Sequence, residues 1–126
     1  MTVTPPWGTT RQSVGAFGEE MASRYLAGLG WQVVERNWRC PSGEIDIVAI
    51  DGPELVICEV KTRRGLGLGD PVEAVTPPKH RRLRQLAGAW LQGHPAERGR
   101  PMRIDVIGVV LEATGGRVHH VRGVIP

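Results

Sequence analysis

Apolar residues first fall into a helical rhythm at Val14, Phe17, Met21, Ala22, Tyr25, Leu26 and Leu29. Steps of three and four are those of one face of an α-helix. Ser13 suits the cap of this predicted helix and Gly30 its stop. At about 100° per residue, Glu20 points away from the apolar stripe, whereas Glu19 lies at its edge beside Ala22 and Leu26 and can reach the interior. Residues 1–12, rich in Thr and Pro and without periodicity, read as a flexible N-terminal arm.

Three strand-like runs follow, 31–39, 44–50 and 54–62, divided by turn signals at Pro41-Ser42-Gly43 and Asp51-Gly52-Pro53. Turns this short favour an antiparallel meander. Leu55-Val56-Ile57-Cys58 is apolar on both alternating faces, which predicts a central strand covered on both sides. A glycine-rich connection over 64–75 is long enough to be mobile. A second helix is expected from Thr76, with Pro77 at its first position and Leu83, Leu86, Ala87, Trp90 and Leu91 as its buried stripe. Lys79, four residues before Leu83, projects inward, and Arg81, Arg82 and Arg84 spread around the outer flanks. Strands at 103–111 and 117–121 complete the chain. The order helix, three strands, helix, strand predicts an α/β fold with a mixed sheet flanked by helices, in a single domain over 13–126.

Composition agrees with one domain, since 126 residues at 40% hydrophobic content suffice for one ordinary core. Cys40 and Cys58 form no CxxC pair, which argues against a zinc site or a disulfide framework and for a reducing, cytoplasmic setting. No run approaches a membrane span, and the first residues lack the apolar middle of a secretory signal. A net charge of +3 is weak support for a polyanionic partner. Its distribution says more, because positive residues cluster at 61–64 and 79–84 while acids fall singly inside apolar runs.

Those acids carry the chemistry. Asp46 lies within Ile45-Asp46-Ile47-Val48, and Glu59 and Lys61 within Ile57-Cys58-Glu59-Val60-Lys61. A charge in a sheet is costly unless it is paired or holds a metal. Glu59 and Lys61 leave the same face of one strand, and pairing through the turn at 51–53 brings Asp46 toward Glu59. A plain salt bridge to Lys61 would account for one acid and leave the other without a partner. Glu19, Asp46, Glu59 and Lys61 sum to two negative charges, which one divalent cation would neutralise; Mg²⁺ or Mn²⁺ suits such oxygen ligands. Glu44 shares the face of Asp46 and is either a further ligand or solvated near its turn. Asp105, within Ile104-Asp105-Val106, is read as a structural partner of Arg103 or of a backbone group. His119-His120, facing opposite sides of a strand, read as ordinary surface residues.

Asp46 followed thirteen residues later by Glu59-Val60-Lys61 resembles the D…ExK signature of PD-(D/E)xK nucleases. Glu19 resembles the additional helix acid of archaeal Holliday-junction resolvases. Together Gly18-Glu19, Tyr25-Leu26, Arg36-Asn37, Gly43-Glu44-Ile45-Asp46, Glu59-Val60-Lys61-Thr62-Arg63, Glu73-Ala74-Val75, Lys79 and Asp105-Val106-Ile107 resemble the YraN family of predicted endonucleases, from about Val14 to Val109. The resemblance implies a restriction-endonuclease-like fold in which Asp46, Glu59 and the Val60 carbonyl hold the metal. Ile45 stands where the superfamily signature has proline.

The activity so implied is metal-dependent hydrolysis of DNA, with structure-selective cutting of branched, nicked or single-stranded forms as the expectation. Lys61 is read as stabilising charge on the transition state rather than as the general base, and Glu19 as a second metal ligand or an orienter of water. Arg63, Arg64, Lys79, Arg81, Arg82 and Arg84 are the expected phosphate contacts, which position a strand without reading its sequence, and Lys79 alternatively meets the acidic cluster. Cutting two strands favours a twofold homodimer. Two alternatives stay open: a catalytically silent nuclease-fold module that binds DNA or acts through a partner, and cleavage of RNA by the same chemistry.

Overall fold

A computed structural model describes residues 5–65, 75–113 and 115–125. Residues 1–4 of the expected arm, and 66–74 of the glycine-rich connection with Glu73 and Ala74, lie outside the described residues. The elements are α1 (Arg11–Gly28), β1 (Gln32–Cys40), β2 (Gly43–Asp51), β3 (Glu54–Arg64), α2 (Pro77–Gln92), a 3-10 turn (Pro95–Glu97), β4 (Met102–Glu112) and β5 (Gly115–Val121).

Helix α1 starts two residues before the Ser13 cap expected from the periodicity. Thr10 is the cap: its hydroxyl accepts from the Ser13 N–H at 3.0 Å, and the Ser13 hydroxyl accepts from the Thr10 N–H at 3.1 Å. This reciprocal capping box satisfies two donors at the helix start. Apolar spacing could not show it, because the first turn carries no buried residue before Val14. The other end stops where expected. Gly30 takes a φ of 87°, and the Trp31 and Gly30 N–H groups bond back to Leu26 and Ala27, closing a Schellman motif. Helix α2 is capped by Thr76 with Pro77 in its first turn, and it buries Leu83, Leu86, Ala87 and Trp90.

Among the described residues, five strands form one sheet in the order β1-β2-β3-β4-β5, all neighbours antiparallel except β3 and β4. The parallel pair requires a crossover, and α2 lies in it. β3 is central as predicted, and alternation along it divides the core. Leu55 and Ile57 face α2 together with Val48, Ile104 and Val106. Val56 and Cys58 face α1 with Ile47, Ala49, Ile107 and Val109. The two helices therefore cover opposite faces of the sheet.

At one end the sheet forks. Pairing of β2 with β3 runs from Asp51↔Glu54 only as far as Ile47↔Cys58, while β1–β2 continues to Cys40↔Gly43 and β3–β4 to Arg64↔Leu111. The two strand pairs splay beyond Ile47 and Cys58, opening a notch with α1 on one face and α2 on the other.

Across β4 and β5 lies a buried polar network, with Asp105 level with Cys58 and Arg103 reaching back to the β2–β3 turn. Asp105 is fully buried, bonded to Arg103 Nε at 3.0 Å, His120 Nε2 at 2.7 Å and the Gly123 N–H at 3.0 Å. Arg103 also reaches Asp51 and Glu54, and His120 Nδ1 meets the Tyr25 hydroxyl at 3.0 Å. Asp105 thus has both structural partners read for it. His120 corrects the surface reading of the histidine pair: only His119 is exposed, and the His120 side chain is 5% accessible. The alternation of β5 turns it beneath Tyr25 and Trp31.

Docking of α1 depends on Gly18. A Cβ there would overlap the Thr62 side chain on β3, so helix and strand approach as closely as they do only because Gly18 has none. Helix propensity alone favours Gly18→Ala by about 1 kcal/mol. Overpacking reverses the sign, and the variant is expected to lose roughly 1–3 kcal/mol in urea denaturation. A neutral or stabilising result would contradict the close approach.

Candidate metal and phosphate cleft at the fork of the sheet

Asp46 sits at the crotch of the fork. Its Oδ2 accepts from the Val60 N–H at 2.8 Å, a side-chain bond where the β2–β3 ladder has ended. Burial is the main reason that its pKa rises to about 7, and the negative charge of Glu59 adds to it; the Val60 N–H pulls the other way, and Glu19 and Glu44 push up further. The carboxylate of Asp46 is therefore under-compensated.

Glu59 lies on the α2 side. Its side chain is 13% accessible, and Oε1 is bonded to Lys79 Nζ at 2.5 Å. The Thr76 cap holds Lys79 in the first turn of α2, inward as its spacing from Leu83 predicts. Glu19 lies on the α1 side and is buried, with Oε1 lacking a hydrogen-bond partner. Burial raises its pKa against the opposing pull of Arg36, whose Nε is 3.9 Å away, and of a hydrogen bond with Asn37. Glu20 points outward, as its helical angle requires, and bonds Arg36 at 2.7 Å and Arg24 at 3.0 Å.

Two cavities meet at this point. On the α1 face a cleft of about 620 Å³ is lined by Arg11, Val14, Gly15 and Glu19 from α1, Asn37 from β1, Glu44 and Asp46 from β2, and Val60, Lys61, Thr62, Arg63 and Arg64 from β3. On the α2 face a cavity of about 210 Å³ is lined by Gly43, Glu44, Asp46, Glu59, Lys79, Arg82, Leu83 and Leu86. Glu44 and Asp46 belong to both. Of the expected site residues, Glu19, Asp46, Val60, Lys61, Arg63 and Arg64 share the cleft, and Glu59, Lys79 and Arg82 share the smaller cavity. Arg81 and Arg84 are exposed on α2 and line neither.

The ammonium that meets Glu59 is that of Lys79, not Lys61. Lys61 follows Glu59 by one strand period, but it lies beyond the fork, is exposed, and has no ion pair with a described residue. Glu44 pairs with Arg39 at 3.2 Å at the rim of the cleft, half-solvated near its turn.

The donors fit a hard divalent cation in type and charge, since the unpartnered Glu19 oxygen and the under-compensated Asp46 would both be relieved by one. Among the described residues, no three His, Cys, Asp or Glu groups form a ready metal cluster. Lys79 holds positive charge beside Glu59 instead.

Sequence reasoning assigned no role to Asn37 or Arg11. Asn37 has a φ of 53°, among the described residues the one non-glycine at positive φ, and lines the cleft beside Glu19. The available signal was a residue of poor strand propensity inside the 31–39 run. Arg11 fell within the arm because the capping box leaves no trace in the apolar pattern.

A mixed sheet with a helix on each face and acids gathered at its fork defines an α/β protein of restriction-endonuclease-like fold. Residues 18–109 match the model of Uncharacterised protein family UPF0102, the YraN family, and the chain belongs to it. Relatives named UPF0102 protein include one from Acidothermus cellulolyticus, 49% identical over 91% of this chain and 95% of its own. One from Beutenbergia cavernae is 53% identical over 90% of this chain and 97% of its own. A third, from Clavibacter michiganensis, is 56% identical over 81% and 86%. Among the described residues no helix is long and apolar enough to cross a membrane.

Two predictions follow from these geometries. Asn37→Gly keeps the left-handed backbone without strain and should match or exceed wild-type stability, whereas Asn37→Ala should lose about 1 kcal/mol in the same urea titration. Equal losses for both would show that the backbone is not what stability registers there. For Asp46, the unfolded carboxyl ionises near 3.8 and the folded one near 7, so between these values the folded chain holds the extra proton. Stability then falls as pH rises through that window. Asp46→Asn, whose amide oxygen still accepts from Val60, should stabilise the chelator-treated protein by ~1–3 kcal/mol at pH 8 and by little at pH 4. A gain of the same size at both pH values would contradict the raised pKa.

Proposed function

We propose that this protein is a metal-dependent endonuclease that hydrolyses DNA phosphodiester bonds at the fork of its sheet. The observation that carries the reading is the gathering of Glu19, Glu44, Asp46 and Glu59 around one point of a basic chain, with Asp46 under-compensated by its surroundings. Lys79, Arg39 and Arg36 lie beside Glu59, Glu44 and Glu19, but among the described residues Asp46 has no cationic partner, whereas a purely structural acid is paired, as Arg103 and His120 pair Asp105. A module that only bound DNA would gain nothing from acids facing phosphate.

Asp46, Glu59 and the Val60 carbonyl would hold Mg²⁺ or Mn²⁺, with Glu19 as a further ligand or an orienter of water. When bound, the ion supplies Lewis acidity and a water of lowered pKa. The chain's own residues do the remainder. Arg63 and Arg64 hold the phosphates on the cleft side of the fork and Arg82 those on the α2 side, with Arg81 and Arg84 adding to the positive field. Lys61, in the cleft wall one strand period beyond Glu59, stabilises charge building on the non-bridging oxygens. The Val60 N–H fixes Asp46 by one oxygen, so that the other would be available to the ion. Lys79 neutralises Glu59 until positive charge arrives there and then becomes free for phosphate.

That same Lys79–Glu59 bond favours the second reading, a nuclease-fold module that binds DNA or assembles with a partner without cutting, because one of the key acids is already satisfied. Labelled duplex, single-stranded, flap and four-way-junction DNA, and RNA of matching sequence, should be incubated with Mg²⁺ or Mn²⁺ and compared for wild type, Glu59→Ala and Lys61→Ala. Cutting that both variants reduce by about 100-fold or more is expected. No metal-dependent cutting of any substrate, or cutting that survives in the variants, would leave the module reading in its place.

A further inference from the structure

Building on the nuclease reading, we infer that its substrate is a single nucleic-acid strand that crosses the fork from one face of the sheet to the other, and that the groove between α2 and the β1–β2 turn is a strand-binding subsite. Three cavities stand in series. The cleft on the α1 face and the cavity on the α2 face share Glu44 and Asp46. That second cavity shares Arg82 and Leu86 with a groove of about 450 Å³ whose other walls are Pro41, Ser42, Gln85 and Ala89.

The groove is built by a close approach. Gly43 has a φ of 147°, and a Cβ there would lie 3.3 Å from Leu86 Cδ1, so the turn after β1 is held down on α2 at that point. Pro41 and Ser42 are left standing as one wall, facing the exposed Gln85 on the helix. A hydroxyl, a carboxamide and the Arg82 guanidinium are all groups that hydrogen-bond phosphate or base edges, and no acid lines this groove among the described residues.

Charge along the path fits a polyanion drawn over a metal site. Arg63 and Arg64 stand at the cleft end, the acids in the middle and Arg82 beyond them. The turn of the path selects the kind of strand. Because α1 and α2 cover opposite faces, a chain in contact with both ends must bend through the notch within one small domain. Duplex DNA has a persistence length of about 150 bp and cannot follow such a bend. A single strand can, whether it is free, a flap, or an arm of an open branch.

Fluorescence anisotropy with a labelled single-stranded oligonucleotide and with its blunt duplex, in chelator so that nothing is cut, reads the proposal without requiring catalysis. The single strand is expected to bind tighter than the duplex. Arg82→Glu should weaken single-strand binding about tenfold and reduce its salt slope by about 0.7, the value of one phosphate contact. Gln85→Glu should weaken it severalfold, and Arg98→Glu, exposed in the turn after α2, should leave it within twofold. Arg84→Glu, on a flank of α2 that lines none of the three cavities, should cost less than Arg82→Glu.

Equal effects of Arg82→Glu and Arg84→Glu would overturn the path in favour of a diffuse basic face. Duplex bound as tightly as single strand, or no binding of either, would overturn it as well. Arg82-dependent single-strand binding with no cutting in Mn²⁺ would instead sink the enzymatic reading and leave the path standing. Single-stranded RNA, run in parallel, decides between the two sources of the strand.

Discussion

The bond from the Val60 N–H to Asp46 Oδ2 is the constraint on which the site depends. Beyond Ile47 and Cys58 the strands β2 and β3 no longer pair, and unpaired backbone inside a protein is costly. One side-chain oxygen satisfies the donor at the point of divergence, so the fork is stable without the ladder closing. The same bond fixes the carboxylate between Glu59 on one face and Glu19 on the other. Divergence of the strands and convergence of the acids thus have one cause. Were β2 and β3 to zip further, Glu19 and Glu59 would be separated by an intact sheet.

Two aspartates in apolar strands show how surroundings decide function. Asp105 is the more deeply buried, yet its pKa falls, because the desolvation that would raise it is outweighed by His120, the Gly123 N–H and Arg103. Asp46 has one donor and three acidic neighbours, and its pKa rises. The Asp105 network is complete, with Trp31 beneath the guanidinium groups of Arg103 and Arg122. Asp46 is left with negative charge that its neighbours do not offset. The same sheet thus completes one buried acid's surroundings and leaves the other's open, which is the pattern expected of a functional position rather than a structural one.

Most of the architecture was legible because its signals are local. Periodicity gave both helices, turn residues gave the meander, and the two-sided apolar run of β3 gave its central place. Asp46 and Glu59 were legible as acids in apolar strands. What escaped depended on groups distant in sequence or on backbone angles. The partner of Glu59 could not be chosen between Lys61 and Lys79 without knowing that β3 parts from β2 at the fork, where Lys61 is exposed and α2 delivers Lys79. His120 read as a surface residue because the Tyr25 and Asp105 that hold it come from α1 and β4. Asn37 gave only the weak signal of a poor strand former in the 31–39 run, and its positive φ and its place beside Glu19 needed the fold.

Lys79 ties helix position to site chemistry. Its Thr76 cap and its bond to Glu59 are two ends of one residue's engagement, so the first turn of α2 and the acid on β3 move together. A short bond between opposite charges beside under-compensated Asp46 and Glu19 is a local balance: Lys79 offsets one negative charge and leaves the others. A divalent cation held as proposed would compete with Lys79 for Glu59 and weaken their attraction, while the cap would keep Lys79 beside the acids. The acidic centre therefore carries its own countercharge in Lys79, and that countercharge is of the sign a phosphate strand would need.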